Sequence, residues 1–177
     1  MTKTDIITAS EKMFSKFSET CNSIDEAAMF AKPGPKWSVA ENIRHMVIST
    51  NMTSLAYTLP KFLVKWIGGT PNRTSKSYEE LKEKYYKKLS EGGRASGRFV
   101  PKPIEVSYGK QKLVGSWNAS TAKYLAALAA KRTEEDLDNY LARHPLLGRI
   151  TLRELCYFTI FHTEHHLKTI EAITQTP

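Results

Sequence analysis

At 177 residues, 41% hydrophobic and 25% charged, the chain has the length and composition of one ordinary globular core, and a single domain over residues 1–177 is expected. No apolar run approaches the roughly 18 to 20 residues needed to span a bilayer, and Asp5, Glu11 and Lys12 interrupt any basic-then-apolar leader pattern, so neither membrane insertion nor secretion is expected. The 26 basic and 18 acidic residues leave a net charge of +8, and the two cysteines, Cys21 and Cys156, form no CxxC; the simplest compartment is a reduced cytoplasm.

In chain order, Thr4 to Lys32 reads as a first helix. Ile6, Met13, Phe14, Phe17, Cys21, Ile24 and Ala28 recur at mixed three- and four-residue intervals and mark one buried stripe. Pro33-Gly34-Pro35 ends it. A second helix follows, with Ser38 as N-cap, Glu41 completing a capping box and Trp37 placed to staple onto the first turn. Its apolar arc is wide, through Val39, Ile43, Met46, Val47, Met52, Leu55 and Leu59, which predicts a central position. Pro60 should kink it or begin a new turn toward Trp66.

Gly68-Gly69-Thr70-Pro71-Asn72 reads as a loop, Tyr78 to Leu89 as a short charged helix, and Glu91 to Pro103 as an irregular excursion. Ile104 to Val114 predicts a brief extended segment, and a third long helix is expected from Ser116 to Lys131. Thr133-Glu134-Glu135-Asp136-Leu137 starts a small helix, His144-Pro145-Leu146-Leu147-Gly148 is a turn, and Thr151 with Glu154 caps a last helix ending near Thr174. Four long helices without a convincing strand pair predict an all-α four-helix bundle. Lys82 to Lys112 is rich in cations, with Tyr85, Tyr86 and Phe99 interleaved. A solvated helix face followed by a basic loop explains it more simply than a nucleic-acid surface does, so nucleic acid is not an expected partner.

Three of the five histidines fall in Phe161-His162-Thr163-Glu164-His165-His166-Leu167. At about 100° per residue, His162 and His166 point about 40° apart, one turn from each other on one face. They share a row with Leu155, Thr159 and Ile170 that faces the bundle. On the second helix, Glu41, His45, Ile48 and Met52 form a comparable row. Two facing helices would bring His45, His162 and His166 toward one point, and three neutral imidazoles suit Zn, Ni or Fe better than oxygen-seeking Mg or Ca. Glu41, one turn before His45, either orients an imidazole or acts as a base, or serves the cap alone. His165, about 60° around the helix from His162, reads as a rim residue. His144 reads as a turn cap or packing residue near a pocket mouth, and Cys156 as core. Tyr57, Tyr124 and Tyr157 either line a pocket or, as aromatic residues in bundles usually do, fill space in the core.

Trp37-Ser38-Val39-Ala40-Glu41-Asn42-Ile43-Arg44-His45, His144-Pro145-Leu146-Leu147-Gly148-Arg149-Ile150-Thr151 and His162 to His166 followed by Leu167-Lys168-Thr169-Ile170 together resemble the DinB-like superfamily, which includes YfiT-like metal-dependent hydrolases and thiol transferases. The resemblance covers most of the chain in order. It implies an up-down-down-up bundle with a long crossover from Gly68 to Gly115, a divalent metal held by His45, His162 and His166, and a homodimer. It also implies a small-molecule substrate and a low-molecular-weight thiol cofactor or a metal-activated water. The function it suggests is thiol transfer or hydrolysis; the alternative is a non-catalytic bundle that senses metal or binds protein. One departure is Thr169, where many relatives carry Gln.

Overall fold

The computed structural model describes residues 1–175, and four long helices set its architecture. Helix α1 spans Lys3–Ser23, opened by a capping box between Thr2 and Asp5, and buries Ile6, Ser10, Phe14, Phe17 and Cys21 at three- and four-residue spacing. The single helix expected over 4–32 is in fact two. Ile24 turns extended, and the Asp25 side chain accepts from the Ala27 N–H at 2.9 Å to begin α2, Glu26–Phe30. A local side-chain acceptor competes with the helix ladder here, as Asp does readily.

Helix α3, Val39–Thr58, starts at the expected Ser38–Glu41 capping box. Pro60, which has no N–H to continue a ladder, stands at the N-cap of α4, Lys61–Gly68, so the chain restarts rather than kinks. Helix α5 spans Tyr78–Ser90, and short 3-10 turns follow at Gly97–Phe99 and Val106–Tyr108. Helix α6, Lys110–Lys131, begins six residues before the expected start, and the extended segment expected over 104–114 is absent. The cause is tertiary. The Lys110 N–H donates to Glu26 at 3.0 Å, and the Lys110 ammonium donates to the Asn22 carbonyl at 2.7 Å and also to that of Ile24.

After α7, Asp136–Asn139, the structure adds a strand pair that the sequence did not predict: β1, Leu141–His144, and β2, Gly148–Thr151, pair antiparallel with Leu141 opposite Thr151. Four-residue strands are too short to show alternation. The connecting turn is the expected one, and Gly148 takes a positive φ of 77°. Gly68 lies so close to the Leu141 carbonyl that a side chain there would collide with it, which seats α4 against the hairpin. Helix α8, Leu152–Gln175, completes the chain.

Named contacts fix the helix directions. Lys3 reaches the carbonyls of Ala129 and Arg132, whereas Ser18 bonds Asn118, so α1 and α6 are antiparallel. Ser120 bonds Val47, and Arg132 bonds Ala56 and Leu59, so α6 and α3 are parallel. Tyr57 donates to the Leu152 carbonyl while His45 meets His162, so α3 and α8 are antiparallel. The order is therefore up-down-down-up, with residues 59–109 as the crossover. Helix α3 packs on both α6 and α8, the central place its wide apolar arc predicted.

The core centres on Trp117, which meets Phe14 edge-on at 5.4 Å and Phe17 at 4.7 Å. Tyr57 and Tyr124 belong to this core, fully buried and 5.6 Å apart, and Tyr157 is buried near the N-terminus; none of the three lines the cavity described below. Cys156 packs beside the Tyr57 hydroxyl at 3.0 Å. Among the described residues no helix is long and apolar enough to cross a membrane.

Candidate metal centre

The antiparallel pairing of α3 and α8 brings His45 opposite the His162/His166 face. The three imidazoles each offer a nitrogen, and these atoms lie within 4.8 Å of one another. Ring centroids are 4.7 to 5.1 Å apart, and the Nε2 atoms of His45 and His162 are separated by 3.2 Å. All three side chains are buried, with 5 to 7% exposure. The sequence pointed to these three residues, and they could hold one metal ion.

Hydrogen-bond partners decide which nitrogens carry protons. The His45 Nδ1 lies 2.7 Å from the Phe99 carbonyl, an acceptor, so Nδ1 must donate and Nε2 keeps its lone pair. The His166 Nδ1 lies 2.8 Å from Asn42 Oδ1. The Asn42 amide is itself oriented, since its Nδ2 donates to the Ser38 carbonyl at 2.9 Å, and His166 Nε2 is therefore also a free lone pair. His162 Nδ1 faces the Ser49 hydroxyl at 3.5 Å. Burial pushes all three below the ordinary histidine range; for His162 and His166 the neighbouring imidazoles push the same way, while the Phe99 carbonyl partly opposes the shift at His45. The Nε2 lone pairs of His45 and His166 are thus available in the cluster; His162 Nε2 adds a third once its proton sits on Nδ1 beside Ser49, and otherwise it donates to His45 Nε2 across 3.2 Å. Three buried imidazoles are a donor set that could hold a metal ion.

Asn42 and the Phe99 carbonyl went unrecognised in the sequence. Asn42 had a signal: an amide one turn before His45, inside a helix where Asn is disfavoured unless its side chain is used. A backbone carbonyl has none. Replacing Asn42 by Leu should free the His166 ring and weaken metal affinity about 10- to 100-fold, read by competition with a chromogenic chelator. An unchanged affinity would remove Asn42 from the site.

Glu41 serves its cap. Its carboxylate accepts from the Ser38 N–H at 2.8 Å and pairs with Lys32 at 3.1 Å, and it does not line the cavity. Trp37 does not staple, because its staple partner in the first turn is the polar Asn42. Its ring packs 5.1 Å from His45 and lies parallel to His166. Phe158 stacks on His162 at 4.6 Å. These apolar planes keep water from the imidazoles on two sides.

The histidines open onto a cavity of about 1060 Å³, walled by Met52 and Leu55 of α3 and its C-cap Leu59, by α4 and by the hairpin. His165 borders it, edge-on to Tyr85 and Tyr86 at 6.2 and 6.0 Å. His144 both caps and lines: its Nδ1 accepts the N–H groups of Leu146 and Leu147 at 3.2 and 3.1 Å, and its ring packs 4.2 Å from Phe158. Burial, aided by Lys84, pushes its pKa down to about 4. In the basic segment, Lys82 pairs with Glu164 at 2.9 Å and Lys84 donates to the Leu147 carbonyl at 3.0 Å, so these cations tie α5 to its neighbours.

Residues 9–170 match the sequence model of the DinB superfamily. Neither the curated proteins nor the solved structures include a match to the chain.

Proposed function

The chain belongs to the DinB superfamily, and from that premise we propose that it is a metal-dependent enzyme acting on a small molecule, transferring a thiol to an electrophile or hydrolysing its substrate. The observation that carries the reading is the convergence of the His45, His162 and His166 ring nitrogens, with two of the lone pairs oriented by the Phe99 carbonyl and Asn42. A divalent ion bound there supplies a Lewis acid that lowers the pKa of a thiol or water at its open positions. His45, His162 and His166 are the ligands. Asn42 and Phe99 hold the rings in their tautomers, and Trp37 and Phe158 exclude water from the imidazoles. The cavity, open to solvent and floored by the histidines, is the substrate chamber.

Metal-loaded protein, purified without a histidine tag, should turn over at least one pair in a panel of thiols, electrophiles and esters. Chelation or His45→Ala should abolish that turnover. Turnover that survives both treatments would refute a metal-dependent reaction.

A further inference from the structure

The cavity is uneven in charge. Its lining includes the exposed cations Lys36, Arg94, Arg98 and Arg143 and no Asp or Glu, although the chain holds 18 acidic residues. Ion pairs elsewhere, such as Lys32–Glu41 and Arg73–Glu154, take up cations that do not line the cavity; among the described residues none of the four lining cations pairs with a carboxylate. Lys36 and Arg98 form no hydrogen bond or ion pair among the described residues. Arg143 uses only its Nε, on the Ile67 carbonyl at 2.9 Å, and Arg94 bonds the carbonyls of the adjacent Gly93 and of Leu89 in the last turn of α5. The rest of the lining is mainly apolar, with Met52, Leu55, Leu59, Leu155 and Phe158, and it includes the buried histidines.

A mainly apolar cavity whose lining cations are its exposed members selects by two terms. The walls favour an elongated apolar body, and the guanidinium forks favour a carboxylate or sulfonate, which they can grip with two parallel hydrogen bonds. We propose that the ligand of this cavity is an amphipathic organic anion, its charged group held at the rim by Arg94, Arg98 and Arg143 and its apolar stem reaching toward the histidine floor. This rests on the reading of the cavity as the substrate chamber. It assigns the rim arginines a specificity role independent of the metal ligands.

The test is titration calorimetry with three probes of equal chain length: decanoate, decanol and decyltrimethylammonium. Decanoate should bind about tenfold or more tightly than either of the others at low salt, and the margin should shrink as ionic strength rises. In the combined Arg94→Gln, Arg98→Gln, Arg143→Gln variant, all at exposed positions, decanoate affinity should fall to within about threefold of decanol while bound metal is unchanged. Equal affinities in the wild type, an anion preference that persists in the triple variant, or no binding of any probe would each overturn the proposal. Metal content measured on the same preparations separates this from the metal assignment. Wild type that holds no ion yet prefers decanoate would sink the metal centre alone; one ion per chain without the preference would sink the anion site alone.

Discussion

His162→Ala will strip the protein of its metal. Its Nε2 lies 3.2 Å from that of His45, and its ring is within 5.1 Å of both other imidazoles, so its loss leaves a single ring on each of the two helices. Losing a partner that merely orients a ligand costs about 10- to 100-fold in affinity, so losing a ligand should cost more than a hundredfold. Elemental analysis should find about one ion per chain in the wild type and almost none in the variant. His165→Ala, which alters the cavity border but not the ligand set, should keep its ion. Stability should follow. An ion present at a thousandfold over its dissociation constant stabilises the fold by about 4 kcal/mol, which for a chain of this size is roughly 10 °C in Tm. Chelator should therefore lower the wild-type Tm by that amount and leave the variant's unchanged. Wild-type levels of metal in His162→Ala would overturn the assignment of all three ligands.

What sequence reading caught and missed at this site follows from the range of the interactions. The helix α3 start was legible because a capping box is a four-residue pattern, and the histidine row on α8 because helical period survives in one dimension. His45 was legible because it shares an inward row with apolar residues. The carbonyl of Phe99 was not, since it reaches His45 across 54 residues and has no side-chain identity. The early start of α6 depends on Glu26, Asn22 and Ile24, more than 80 residues away. The break at Asp25 was local yet hidden, because an apolar stripe continued across it and masked a competing cap. Glu41 stood at a position where capping and metal chemistry predict the same residue type. The fold distinguishes them by turning its carboxylate to the Ser38 N–H and Lys32.

Glu154 was legible as the capping partner of Thr151, but the larger part of its role was not, and Glu154→Ala should be among the most destabilising single changes outside the hydrophobic core. Its carboxylate is fully buried and accepts four hydrogen bonds: from Arg73 Nη1 at 2.6 Å and Nη2 at 2.8 Å, from the Lys76 N–H at 2.7 Å and from the Thr151 N–H at 2.9 Å. Removal leaves two backbone donors near a cavity and a guanidinium without its partner. Breaking a fully buried pair costs about 3 to 5 kcal/mol. Arg73, at 36% exposure, recovers part of that by hydration, so about 3 kcal/mol is expected, or roughly 10 °C in Tm. Arg73→Ala should cost less, and the double variant should fall well short of the sum, because both changes remove one interaction. The pH dependence has a definite sign. Burial alone would raise the Glu154 pKa, but the bonds from Arg73, Lys76 and Thr151 outweigh it and hold the carboxyl below the ordinary value of 4.5. The folded state therefore releases this proton more readily than the unfolded chain. The stabilisation is fully present above the unfolded pKa and is lost as pH falls through the folded one. Wild type should accordingly be more stable than Glu154→Ala at neutral pH, and the gap should narrow under acid. Arg73 and Lys76 anchor the crossover that leads through α5 to Phe99, so the variant should also weaken metal affinity, by less than His162→Ala does. A Tm within about 2 °C of wild type at pH 7, less than the expected shift of roughly 10 °C by a wide margin, would show that the crossover is held by something other than this carboxylate.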